Sequence, residues 1–246
     1  MPSPETAAQK DFVLDWIRHD PDAAITHALQ NAVPRLESAA ASVGVDALGE
    51  NRHLQPELVR SMREVVEEEL VWPNAAPSIS AWKRVGKVDL AVRTEPGSDR
   101  LFLGAELKWG KLDEGVWDLF KMALLAMRPE VAGTFLVTGA VTTRWSQDFC
   151  TSLFANGDHS TLELCGWRYP GGDKWLVWDN MLYGGNDSFP EFVPQDIATR
   201  LVSTQAIAPG AEVRVVRVLP SSETITFVNG WPHGRRPPDA KRPLLP

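Results

Sequence analysis

Two short runs carry the charges best placed for chemistry: Lys87–Arg93, with Asp89, and Leu101–Trp109, with Glu106 and Lys108. Successive side chains of a strand point to opposite faces. Asp89 therefore shares a face with Lys87, Ala91 and Arg93, while Glu106 and Lys108 share one with Phe102 and Gly104. Val88, Leu90 and Val92 form the apolar face of the first run, and Leu101, Leu103, Ala105, Leu107 and Trp109 that of the second. A hairpin turning near Gly97-Ser98 sets Asp89 opposite Glu106 and Ala91 opposite Gly104. Like charges so opposed destabilise a sheet by up to about 1 kcal/mol, more in low dielectric. Something positive must compensate. Lys108 supplies one charge, and two carboxylates beside small residues suit a divalent cation, Mg²⁺ or Mn²⁺.

The elements around these residues must position them. A helix is predicted from Gln55 to about Trp72, with Pro56 in its first turn and Trp72-Pro73-Asn74 ending it. At about 100° per residue, Leu58, Met62, Val65, Val66 and Leu70 form its apolar stripe. Of the run Glu67-Glu68-Glu69, Glu67 points away, Glu68 lies off the flank and Glu69 falls inside the stripe. A carboxylate there needs a partner, and the face bearing Asp89, Glu106 and Lys108 offers one. Strands are predicted at Ser78–Lys83, Lys87–Arg93 and Leu101–Trp109, the last two joined through Pro96-Gly97. Residues 112–128 read as an amphipathic helix. Gly133–Thr138 is a continuous apolar run, suited to a strand buried on both faces and parallel to a neighbour.

Helix with Glu, strand with Asp, hairpin, strand with Glu-x-Lys, helix, strand: this order resembles the PD-(D/E)xK nuclease superfamily, the restriction-endonuclease-like fold. The matching segments are EEEL, GKVDLAV, GAELKWG and DEGVWDLFKMALLAM, spread over residues 55–138. The resemblance implies an α/β core of helix, three-strand antiparallel meander, helix and parallel strand. It implies that Asp89, Glu106 and the Leu107 carbonyl bind Mg²⁺ (or Mn²⁺), and that Lys108 contacts the attacking water. The helix glutamate corresponds to Glu69, with Glu68 as the alternate. Val88 stands where the motif has proline, and the following helix carries Asp118 and Lys121 in place of the Gln-x-x-x-Tyr signature of the exonuclease branches. Endonuclease and exonuclease both stay open. Phosphodiester hydrolysis needs a nucleophile at neutral pH and neutralisation of transition-state charge, which a divalent metal and a lysine together provide.

On either side of this core, residues 1–50 form an N-terminal helical segment, broken or kinked at Asp20-Pro21 and Val33-Pro34. The catalytic core spans 51–142, and 143–231 make a β-containing extension or small subdomain. Within that extension a helix is expected at Thr143–Phe154, strands near Leu162–Tyr169 and Lys174–Trp178, a helix near Gln195–Ser203, and a hairpin from Val213–Leu219 to Thr224–Val228. Residues 232–246 are a basic, proline-rich tail.

Composition narrows the classes. The 246 residues carry 25 Lys+Arg against 32 Asp+Glu, a formal charge of -7 that disfavours indiscriminate coating of nucleic acid. The acid excess lies in residues 1–79 and 129–211, whereas 80–128, which hold the candidate site, are net +2. Cys150 and Cys165 read as buried apolar residues, since two cysteines build neither a disulfide framework nor a zinc site. The five histidines show no ligand spacing. Lys121 reads as a solvated helix lysine paired with Asp118, and Trp167, Trp175 and Trp178 as packing residues ahead of a base-stacking platform. Without a secretory start or a spanning apolar run, a cytoplasmic protein is expected. The leading expectation is a Mg²⁺-dependent nuclease acting on nucleic acid, DNA ahead of RNA, with a homodimer compatible. Its rivals are an inactive binding or assembly module of the same fold, and a metal-free acid-pair glycosidase, which the adjacent Lys108 disfavours.

Overall fold

Two N-terminal helices, α1 (Pro4–His19) and α2 (Pro21–Val43), are separated at Asp20, whose carboxylate accepts the Ala23 N–H at 3.0 Å and caps α2. The computed structural model of the chain describes residues 4–76, 87–110, 115–126, 128–146, 160–163, 196–219, 226–228 and 231–233. The break predicted at Asp20-Pro21 is present, but the one at Val33-Pro34 is not: α2 continues through Pro34. Leu29, Leu36 and Ala40 are all buried on one stripe of α2, and that burial carries the helix past its proline. A π turn at Glu50–Leu54 leads into α3 (Gln55–Val65). Arg35 of α2 holds Glu57 of α3 at 2.5 Å and also donates to the buried Ser61, fixing the two helices together.

The third helix is shorter than the sequence pattern predicts. Val66 is already extended, and Glu68–Leu70 form a 3-10 turn. Three consecutive acids at a helix C-terminus oppose the helix dipole, which favours stopping there. The chain then enters strand β1 (Val71–Ala75), so the Trp72-Pro73-Asn74 segment expected to end a helix lies in a strand. The strand expected at Ser78–Lys83 falls outside the described residues. β1 itself pairs antiparallel with β2 (Val88–Arg93), which pairs antiparallel with β3 (Leu101–Trp109). Helix α4 (Gly115–Ala126) then crosses over to β4 (Gly133–Val141), parallel to β3. A parallel pair requires such a crossover.

Later strands complete the same sheet. β5 (Ser160–Glu163), β6 (Asp196–Ala208) and β7 (Ala211–Val218) give the order β1-β2-β3-β4-β7-β6-β5. The helix expected near Gln195–Ser203 is therefore part of β6. β-Branched Thr199, Val202 and Thr204 favour the strand, and Pro209-Gly210, with Gly210 at φ 77, forms the tight β6–β7 turn. The hairpin expected between β7 and residues 224–228 is not formed by the described part of that segment, residues 226–228. Instead β8 (Thr226–Val228) pairs with β9 (Trp231–His233) in a separate two-stranded sheet. A 3-10 turn at Thr142–Ser146 stands where a helix was expected to start, and residues 147–154 of that helix fall outside the described residues. So do Cys150, Cys165, Trp167, Trp175, Trp178 and the tail beyond His233. The fold is mixed α/β, with helices first and one parallel pair, β3–β4, in the sheet. Among the described residues no helix is long and apolar enough to cross a membrane.

The sheet has two differently covered faces. Leu103, Ala105, Leu107, Phe135, Val137, Val213 and Val215 share a core with Ile25, Leu29, Leu36, Leu58 and Met62 of α2 and α3. The opposite face lies under α4, close enough that a Cβ at Gly104 would sit 3.4 Å from Leu125 Cδ1. Asp22, near the start of α2, binds Arg200 of β6 and Arg217 of β7, and Arg217 also donates to the Ala132 carbonyl at 2.9 Å. The helical layer is thus tied to the far half of the sheet.

The end of β3 is fixed by close packing. Gly110, at φ 76, donates its N–H to the Gly139 carbonyl at 2.8 Å, and the Trp109 ring lies where a side chain on Gly139 would project. Gly139→Ala forces that indole to move. Urea unfolding followed by tryptophan fluorescence is expected to show a loss of about 1–3 kcal/mol, and an unchanged midpoint would contradict the packing.

Candidate functional site

The β2–β3 register decides whether the two strand acids meet. Leu90 faces Ala105, Ala91 faces Gly104 and Val92 faces Leu103, the register expected from the turn, which shifts only at Arg93, set against Leu101. Continued by one residue, it brings Asp89 against Glu106. There the ladder changes character, because the Leu107 N–H donates to Asp89 Oδ2 at 2.8 Å. A side chain has taken over the role of a backbone acceptor. N–H and C=O of one strand residue point to the same neighbouring strand, so the Leu107 carbonyl also faces the Asp89 side. Gln55, at the start of α3, donates to the Asp89 carbonyl at 2.9 Å and anchors β2 from the helical layer.

Over this face α4 sets two charges one turn apart. Lys121 Nζ lies 2.5 Å from Glu106 Oε1 and 3.1 Å from Asp118 Oδ1, and 3.3 Å from the Lys87 carbonyl. Lys108 Nζ, from the β3 strand, lies 3.2 Å from Asp118 Oδ2 and 3.3 Å from Glu50 Oε2. The result is a connected chain of charges: Glu106, Lys121, Asp118, Lys108, Glu50. Its inner end is dry, with the Glu106 side chain 3% exposed and that of Lys121 7%. Its outer end is wetter, with Lys108 at 15% and Glu50 at 22%.

Burial pushes the Glu106 carboxyl well above the usual carboxylate range; Lys121 pulls against this, while Asp118 and Asp89 push further up. Glu50 is raised for the same reasons, burial first, with Lys108 opposing and Asp89 and Asp118 adding. For the lysines burial works the other way, but carboxylates overcome it. Asp118 and Glu50 raise Lys108, and Glu106 and Asp118 raise Lys121. Four carboxyls face two ammonium groups, and the strain on Glu106 and Glu50 is relieved either by a proton or by a further cation.

Of the residues expected from the sequence, Asp89, Glu106, Leu107 and Lys108 come together. Glu69 does not. It is exposed in the 3-10 turn after α3, and Glu68 is exposed beside it, 3.5 Å from Arg63. The third carboxylate comes from the opposite end of that helical segment, as Glu50 in the π turn. Lys121, read as solvated, is buried and central, and its expected pairing with Asp118 is present. The signal for Lys121 was available: Gly115–Ala126 is so apolar that both charges within it had to find buried partners. Glu50 carried no comparable signal.

Among the described residues no three His, Cys, Asp or Glu side chains converge on one point. The donors nevertheless suit Mg²⁺, which is held by one or two carboxylates and keeps several waters. Asp89 and Glu106 are two carboxylates and the Leu107 carbonyl is a third hard oxygen, in a cluster where four carboxyls face two ammonium groups.

Asp118 bridges both lysines, so Asp118→Ala is expected to cost about 3 kcal/mol in chemical denaturation. Glu69→Ala should stay within about 0.5 kcal/mol; equal losses would contradict this placement. No protein-family model, curated protein or solved structure matches the chain.

Proposed function

We propose that this protein is a Mg²⁺-dependent nuclease that hydrolyses phosphodiester bonds in DNA, built on a restriction-endonuclease-like core. The observation that carries the reading is the buried Glu106 beside Asp89, on adjacent strands, in a cluster where four carboxyls face two ammonium groups. The element order supports it: helical segment, three antiparallel strands, crossover helix, parallel strand. Asp89, Glu106 and the Leu107 carbonyl would hold the ion. Mg²⁺ bound there supplies Lewis acidity toward a phosphoryl oxygen and a lowered pKa for its water.

The chain's own residues do the rest. Lys108 is a fixed positive charge, held in place by Glu50 and Asp118 at the exposed end of the cluster. A phosphate entering from that side passes Glu50 and meets Lys108 before Lys121. Its ammonium orients the attacking water or stabilises negative charge growing on the phosphoryl oxygens. Glu50 and Asp118 are positioning residues, since they touch Lys108. Buried Thr138 stands directly beside Lys108 across the parallel pair.

A second reading, an inactive nucleic-acid-binding or assembly module, has its own support: both lysines are already paired within the cluster. One assay separates the two. Plasmid and linear single- and double-stranded DNA are incubated with Mg²⁺ or Mn²⁺ and with EDTA. Cleavage is expected only with metal, and to fall at least about 100-fold in Asp89→Ala and Lys108→Ala. Metal-independent cleavage would sink the proposal. No cleavage combined with DNA binding would favour the module.

A further inference from the structure

Lys121 occupies an unusual position: its ammonium sits 2.5 Å from Glu106 Oε1, the oxygen of one of the two carboxylates expected to bind the metal. Lys121 is itself buried and comes from the crossover helix, not from the strand that carries Lys108. It has two further acceptors, Asp118 Oδ1 at 3.1 Å and the Lys87 carbonyl at 3.3 Å. Leaving Glu106 would therefore not leave the ammonium without partners. Two cations on one carboxylate oxygen repel, so a metal ion arriving at Oε1 competes with an ammonium held at this distance.

We propose that Lys121 is a built-in stand-in for the metal: its ammonium neutralises Glu106 in the metal-free protein, and a divalent cation displaces it onto Asp118 and the Lys87 carbonyl. The inference rests on the metal-dependent reading of the site. No bond is made or broken in the exchange. One cation leaves a carboxylate and another takes its place, and the cluster's negative excess is reduced. Lys121 and the metal are thus competitors, and each weakens the hold of the other. Such a device keeps a buried carboxyl partnered before metal arrives, and it sets metal affinity through a side chain that is not itself a ligand. Lys108, bound to Glu50 and Asp118, has no part in the competition for Glu106.

The test is Mn²⁺ binding to the full chain followed by electron paramagnetic resonance, with melting temperatures in EDTA and in Mn²⁺. Alkaline buffer minimises proton competition for Glu106. Lys121→Met is expected to melt below wild type in EDTA, to bind Mn²⁺ roughly tenfold more tightly, and to gain more from Mn²⁺ in melting temperature. Equal affinity and equal thermal gain in both proteins would overturn the displacement while leaving the metal site intact. Absence of Mn²⁺ binding to wild type would overturn the metal reading itself, and this inference with it. Should the Met variant not fold, wild-type crystals with and without Mn²⁺ decide the matter. The ion at Asp89 and Glu106 with Lys121 turned to Asp118 supports the exchange, and the ion bound with the Lys121–Glu106 pair intact refutes it.

Discussion

A carboxylate removed from water must be given a positive partner, and Glu106 imposes that requirement on this protein. It points from the middle of the sheet into the space beneath α4, where almost no solvent reaches. Lys121 answers it from α4, Asp118 holds Lys121, Lys108 holds Asp118, and Glu50 holds Lys108. Each link passes an unsatisfied charge outward until it reaches water. The chain joins the π turn before α3 to the β3 strand and the crossover helix, which lie far from it in sequence.

The parallel pair makes this arrangement possible. Because β4 runs parallel to β3, the connection between them must cross a face of the sheet, and α4 therefore lies over the row that contains Glu106 and Lys108. The antiparallel neighbour, β2, supplies Asp89 by register alone. One topological choice thus places the helix charges over the site, and one turn places the second acid. The helical layer contributes Glu50 and, through Gln55, the anchoring of the Asp89 backbone.

The legibility of these parts in the sequence differed for physical reasons. Strict alternation on both sides of Pro96-Gly97 made the β2–β3 register readable, and with it the Asp89–Glu106 face. The unbroken apolar run at Gly133–Thr138 gave the parallel strand for the same kind of reason: burial on both faces. Glu69 was misplaced because Val66 and Leu70 are indeed buried, as a continued helix would bury them, though the chain there has already left the helix. Periodicity detects burial and does not see where hydrogen bonding stops. Lys121 was misread for the opposite reason, since a search for one apolar stripe passes over a helix buried on several sides. The first part of β6 reads as a helix because its partners there, such as Val218 opposite Thr199, lie at the far end of the hairpin, outside a short window.

The order of the strands bears on how the chain reaches this structure. β4 is an interior strand only because β7 lies along its far side. A nascent chain that has emerged only as far as Val141 would hold every charge of the site, yet its β4 would present an open, apolar row of backbone donors and acceptors. That edge waits for residues 211–218, some seventy positions later. Pairing across so large a sequence separation is slow, and during synthesis a vulnerable part of this protein is the bare margin of β4, where self-association competes with the arrival of its proper neighbour.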